Sequence, residues 1–202
     1  MSNTDFTHGS LYLAGFAQAR APHVGLIIPT SDVLGTLVHI RVDRETSDVW
    51  TYQCRAQRIS GDMFMSSLLK LREASAGAIS VEQLQETAAS VSAPRNDDFG
   101  ECLPWSLRVL QKLHDMGLLN VMDIDGLGRE FEEFAAGNQA YARRDRFPNI
   151  AVSHFCQYNN PPMVTADRLC HCQSELSSAQ GSRQANRPTV TETVRQISCV
   201  RR

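Results

Sequence analysis

This sequence predicts an α+β domain in which an antiparallel sheet packs against helices. Three observations carry that expectation. Two β-prone runs flank the turn Pro29-Thr30-Ser31-Asp32, an apolar stripe at helical spacing runs from Cys102 to Gly117, and Ser80 opens a third segment with a helix-start pattern. A chain of 202 residues can bury a core of its own, so one domain is expected over residues 1–148, followed by a low-order C-terminal tail over 149–202.

Taken in order, Gly9 to Phe16 reads as a first strand through Leu11, Tyr12 and Leu13. His23 to Ile28 is a second strand, and Gly35 to Val42 a third. Together they form a hairpin across the Pro29–Asp32 turn. Centred on Ser31, this hairpin sets His23 opposite His39, both on one face, with Val24, Leu26, Ile28, Val38, Ile40 and Val42 on the other. Ile27 and Leu37 share the histidine face, which implies that a helix covers part of it.

Val49 to Ile59 mixes aromatic and polar residues as a further strand, and Leu68-Leu69-Lys70-Leu71 reads as a strand or a short helix. Ser80, with Glu82 and Gln83 in the first turn, starts a helix to Val91, and Pro94 ends it. In the next helix Pro104 suits the first turn, Leu103, Leu107, Leu110 and Leu113 recur at helical spacing, and Gly117 fits the C-terminal cap. Asp123 to Gly126 reads as a turn before an amphipathic helix from Leu127 to about Arg144, with Phe131, Phe134, Ala135 and Tyr141 on its apolar stripe. Beyond Pro148 the composition turns to Ser, Gln, Asn, Arg and Pro, which bury little.

The balance of 20 basic against 22 acidic residues leaves no electrostatic footprint for nucleic acid and no polybasic stripe for a membrane surface. No run reaches transmembrane length, and Leu11 to Ala19 is too short and interrupted for a signal peptide, so a cytoplasmic protein with no integral membrane segment is expected. In that setting the six cysteines are expected as thiols.

The chemistry-bearing constellation is Cys102, His23 and His39. A cysteine at a helix N-terminus gains thiolate stability from the dipole and free N–H groups. Thiol acyl chemistry adds an imidazole to carry the proton and a third polar group to orient that imidazole. The plainer alternative makes Cys102 a small buried hydrophobe and the histidines ordinary strand residues.

His-x-Gly-Leu from His23, Gly-Thr-x-x-His-Ile from Gly35 and Cys-x-x-Trp from Cys102 resemble the circularly permuted papain-like fold of the lecithin:retinol acyltransferase and NlpC/P60 superfamily. They also resemble a group of uncharacterised fungal proteins with the same histidine hairpin and Cys-x-x-Trp helix. The resemblance spans Leu11 to Gly117. It implies Cys102 as nucleophile, His23 as base and His39 as orienting residue. The implied function is thiol-dependent acyl transfer or hydrolysis on an ester, amide or thioester of a small-molecule or acyl substrate, with no cofactor.

Glu101 before the cysteine and Leu103-Pro104 after it depart from the branch, which has Asn before and Glu-His after. A carboxylate beside the thiol raises its pKa. The competing expectations are a catalytically inactive binding or accessory module of the same fold, and an acyl-transfer or cyclising enzyme of fungal small-molecule biosynthesis.

Trp50 and Trp105 are candidate substrate-lining residues, with Tyr52 beside them, although core packing is the commoner use of such aromatics. His154, Cys156, Cys170, His171 and Cys172 cluster late but lack a Cys-x-x-Cys pair, so no metal site is expected. Asp123 and Asp125 lack the remaining ligands of a calcium loop, and Arg143, Arg144 and Arg146 read as a solvated helix end.

Overall fold

Residues 6–43, 45 and 47–156 are described by the computed structural model, and the expectations for Cys170, His171 and Cys172 fall outside them. The chain divides into a unit over Met1–Asn160 and a second over Pro161–Arg202, the latter wholly outside the described residues.

The first unit is an α+β fold with a six-stranded sheet and three α-helices. Its strands are β1 (Leu11–Phe16), β2 (His23–Pro29), β3 (Leu34–Asp43), β4 (Ser47–Arg58), β5 (Met65–Arg72) and β6 (Asn149–Val152), in the order β4-β3-β2-β1-β5-β6. Neighbours are antiparallel except β5 and β6, which run parallel, so the sheet is mixed where an antiparallel one was expected. β6 also lies just past the domain boundary expected at residue 148. Too short for a strand pattern of its own, it is recruited by pairing Ser67 to Lys70 with Asn149 to Val152.

The helices are α1 (Val81–Ala89), α2 (Cys102–Asp115) and α3 (Ile124–Ala136). Ser80 caps α1 through a reciprocal box, its Oγ accepting from Gln83 N at 3.1 Å while Gln83 Oε1 accepts from Ser80 N at 2.9 Å. α2 keeps the expected start, and Gly117 follows its C-terminus with φ +71°. α3 differs from expectation. Asp123 is its N-cap, accepting from Asp125 N and Gly126 N at 3.1 and 3.0 Å, so the expected turn is the cap and first turn of the helix. The helix stops at Ala136, and Tyr141 belongs to a separate 3₁₀ turn.

All three helices cover one face of the sheet. There Leu11, Leu13, Val24, Leu26, Val38 and Ile40 pack against Leu84, Trp105, Leu110, Leu127 and Phe131 in one core. Each such side chain, taken fully out of water, contributes about 1.5–3 kcal/mol. Ile27 and Leu37 belong instead to a second cluster with Tyr12, Phe16, Ile59, Met65 and Leu68. The expected helix over the histidine face is absent among the described residues, and a crossover takes its place. β4 and β5 point the same way on either side of the β3-β2-β1 block, so residues 59–64 travel back across the sheet, and Ile59 seals the second cluster.

Among the described residues no helix is long and apolar enough to cross a membrane.

Candidate functional site

Strand alternation sends His23 and His39 to the face opposite the helices. The β2–β3 ladder pairs Leu26 with Val38 and Pro29 with Gly35, so the hairpin is centred on Asp32, not on Ser31. Ser31 accounts for the difference by accepting from Val33 N and Leu34 N at 3.3 and 3.0 Å, which lengthens the loop. Carried up the strands, this register sets His39 across from Gly25. Moving a partner by two residues preserves the face, so the two histidines still meet, now diagonally.

They meet closely. His23 Nε2 lies 2.7 Å from His39 Nδ1, and His39 Nε2 lies 3.0 Å from Gln53 Oε1. Because the Gln53 carbonyl oxygen only accepts, His39 carries its proton on Nε2 and offers the Nδ1 lone pair to His23 Nε2–H. The chain therefore ends at His23 Nδ1 as a lone pair, and no described residue donates to it. Gly25 makes the contact possible, since a β-carbon built there would sit 2.9 Å from His39 Cβ and 2.9 Å from Leu37 Cδ1.

Both imidazoles are neutral near pH 7. Burial first, then the charges of Arg55 and Arg41, lower His23 to about 4. Burial, the neighbouring His23 and Arg55 lower His39 to about 3, against a partial restoring effect of the Gln53 bond. Arg55 and Arg41 stand on the histidine face of β4 and β3, where Arg55 is opposite Leu37 and Arg41 opposite Thr51.

The ladder between β2 and β3 stops at Leu26 and Val38, and above it the strands part. A cleft of about 540 Å³ opens at that end, lined by Gln18, His23, His39, Arg41, Trp50 and Phe99 together with Val42 and Asp97. The loop carrying Asp97 and Phe99 is pinned to β4, because Trp50 N and Trp50 Nε1 donate to the carbonyls of Asn96 and Asp98 at 3.2 and 3.1 Å.

Cys102 is not brought to this cleft. It is 4 % exposed and belongs to the helix-side core with Val24 and Phe131, on the face that the imidazoles turn away from. Its sulfur contacts the Pro22 carbonyl at 3.9 Å, and neither imidazole is within hydrogen-bond reach of it. Burial pushes the thiol up and Glu101 adds to the rise, while the backbone N–H groups of Val24 and Leu103 pull it back. A small cavity of about 100 Å³ adjoins it, walled by Pro22, Val24, Phe131 and Ala135. The expected Cys-His-His constellation is thus assembled only in its histidine half.

Of the two aromatic candidates, Trp50 lines the cleft and Trp105 does not. Trp105 is fully buried, and its Nε1 donates to the Val91 carbonyl at 3.1 Å. Gln53, Gln18, Arg41, Asp97 and Phe99 were not anticipated. Gln53 was within reach of the sequence, because β3 and β4 follow one another as an antiparallel pair that sets it opposite His39. The residues from the distant loop carry no such signal.

Elsewhere His154 Nδ1 bonds Glu130 Oε1 at 2.6 Å, and among the described residues no group of three or more His, Cys, Asp or Glu side chains is placed to hold a metal ion. No family model, curated protein or solved structure matches this chain.

Proposed function

We propose that this domain is a binding or accessory module that takes a polar small molecule in the cleft over His23 and His39. The observation that carries the reading is the hydrogen-bonded chain His23–His39–Gln53, buried at its middle member His39 and finishing in an unpartnered ring nitrogen of a residue that lines a cleft of about 540 Å³. That volume suits a drug-sized ligand, and a few fixed polar groups among aromatic walls are the usual makings of such a site.

Magnitudes favour binding over proton transfer. A histidine with pKa about 4 is protonated in about one molecule in a thousand at pH 7, and its conjugate base has little drive to take a proton. It serves as a fixed acceptor.

The finer fold reading, a permuted papain-like domain, draws support from the chain order of histidine strand, histidine strand and cysteine helix. Within it, thiol-dependent acyl transfer or hydrolysis at Cys102 is the second reading, favoured by the Val24 and Leu103 N–H groups that meet the sulfur. It needs a base that the present arrangement keeps on the other side of β2.

The test of the first reading is a fragment screen read by the imidazole nitrogen resonances of ¹⁵N-histidine-labelled protein. Cleft ligands shift the His23 and His39 signals, and Phe99→Ala, which alters an exposed wall residue, weakens them. Ligands that bind without moving either signal, or no ligand at all, overturn the reading.

A further inference from the structure

Resting on that reading, we infer that the cleft takes a zwitterion with an apolar ring, of the aromatic amino acid class, its carboxylate on Arg41, its ammonium between Asp97 and His23 Nδ1, and its ring between Trp50 and Phe99. The cleft holds one cation and one anion that do not neutralise each other. Arg41 and Asp97 both line it, yet they form no ion pair. Arg41 Nη2 leans on Asp43 Oδ2 at 3.3 Å with the two side chains 45 % and 34 % exposed. A surface pair of that kind contributes little, so Arg41 is free to exchange it for a ligand carboxylate. Asp97 has no hydrogen bond or ion pair to any described residue.

A ligand matching this cleft therefore brings opposite charges held apart. The third polar feature calls for a hydrogen-bond donor. His23 Nδ1 is a lone pair with no donor among the described residues, and a ligand that covers it without an N–H or O–H leaves it desolvated and unpaired. The charges of Arg55 and Arg41 oppose a cation at His23, so the ammonium pairs with Asp97 and reaches the imidazole through one of its three N–H groups. The remaining walls are aromatic: Phe99 is 55 % exposed and already carries Arg20 over its ring at 5.6 Å, and Trp50 has its indole N–H occupied by Asp98, which leaves its ring as an apolar surface. Arg55 has no ion-pair partner among the described residues and adds its field to that of Arg41 on the same face, which favours the carboxylate at the β3 side.

The experiment compares L-phenylalanine, L-phenylalaninamide, which lacks the carboxylate, and N-acetyl-L-phenylalanine, which lacks the ammonium, by titration against the imidazole resonances of the full chain. The expected result is binding by phenylalanine and loss of about tenfold or more in affinity for each analogue. Arg41→Gln is expected to abolish the preference over the amide, and Asp97→Asn the preference over the N-acetyl compound, both exposed changes that spare the core. Equal binding of the amide overturns the carboxylate assignment, and equal binding of the N-acetyl compound the ammonium assignment. If all three leave the resonances unmoved while fragments from the screen shift them, the ligand class fails and the cleft survives. If neither set moves them, both readings fall.

Discussion

Gly25 and His39 face one another so closely that a β-carbon on Gly25 would lie 2.9 Å from Cβ of His39. The same added atom would lie 2.9 Å from the Val38 carbonyl oxygen, which belongs to the backbone and cannot swing aside. The glycine therefore acts as a positioning residue: its missing side chain is the space through which the His39 ring reaches the ring of His23.

Gly25→Ala is accordingly expected to part the histidines without altering any group that lines the cleft. Overpacking of this kind costs about 1–3 kcal/mol. Chemical denaturation checks the stability loss, and the histidine nitrogen resonances check the separation through the return of ordinary ring titration. A variant as stable as the parent, with both rings still titrating below pH 5, contradicts the packing argument.

The histidine pair also sets an acid limit. His23 and His39 have folded-state values of about 4 and about 3, below the unfolded value of 6.5. Between those limits the unfolded chain binds protons that the folded chain refuses. The pair's contribution is therefore complete above pH 6.5 and declines as the pH falls, with a slope approaching 1.4 kcal/mol per pH unit for each histidine. Urea midpoints measured from pH 7 to 4.5 are expected to fall steeply in the parent and less steeply in His23→Gln. Parallel pH profiles for the two proteins would remove the pair as the cause.

Cys102 yields a third expectation. With its thiol raised by burial and its residue 4 % exposed, iodoacetamide is expected to label it more slowly than the partly exposed Cys54 at pH 7. Peptide mass spectrometry of the time course reads the order directly. Faster labelling of Cys102 would revive the thiol acyl reading and imply that the start of α2 opens in solution.

The local grammar of this chain was legible. Ser80 with Gln83, Pro104, Gly117 and the alternation through β2 and β3 marked where elements begin and which residues share a face, because capping, φ restriction and pleat period act over a few residues. Even the meeting of His23 and His39 survived an error in register, since the shift was even. What the sequence alone determined is thus the elements that carry a local pattern of their own, β6 not among them, and the pairing of the two imidazoles on one side of the ribbon.

The tertiary structure alone decided which side the helices take. α2 follows the alternative apolar face of β2, where Val24, Leu26 and Ile28 offer a continuous surface, and the sulfur of Cys102 goes into that core with it. The histidine face is left to the crossover after β4 and to the loop bearing Asp97 and Phe99, so its chemistry opens into a cleft in place of a thiol. Burial of apolar area is non-directional, and the helix goes where the larger apolar surface lies, a comparison between faces that only the assembled sheet presents.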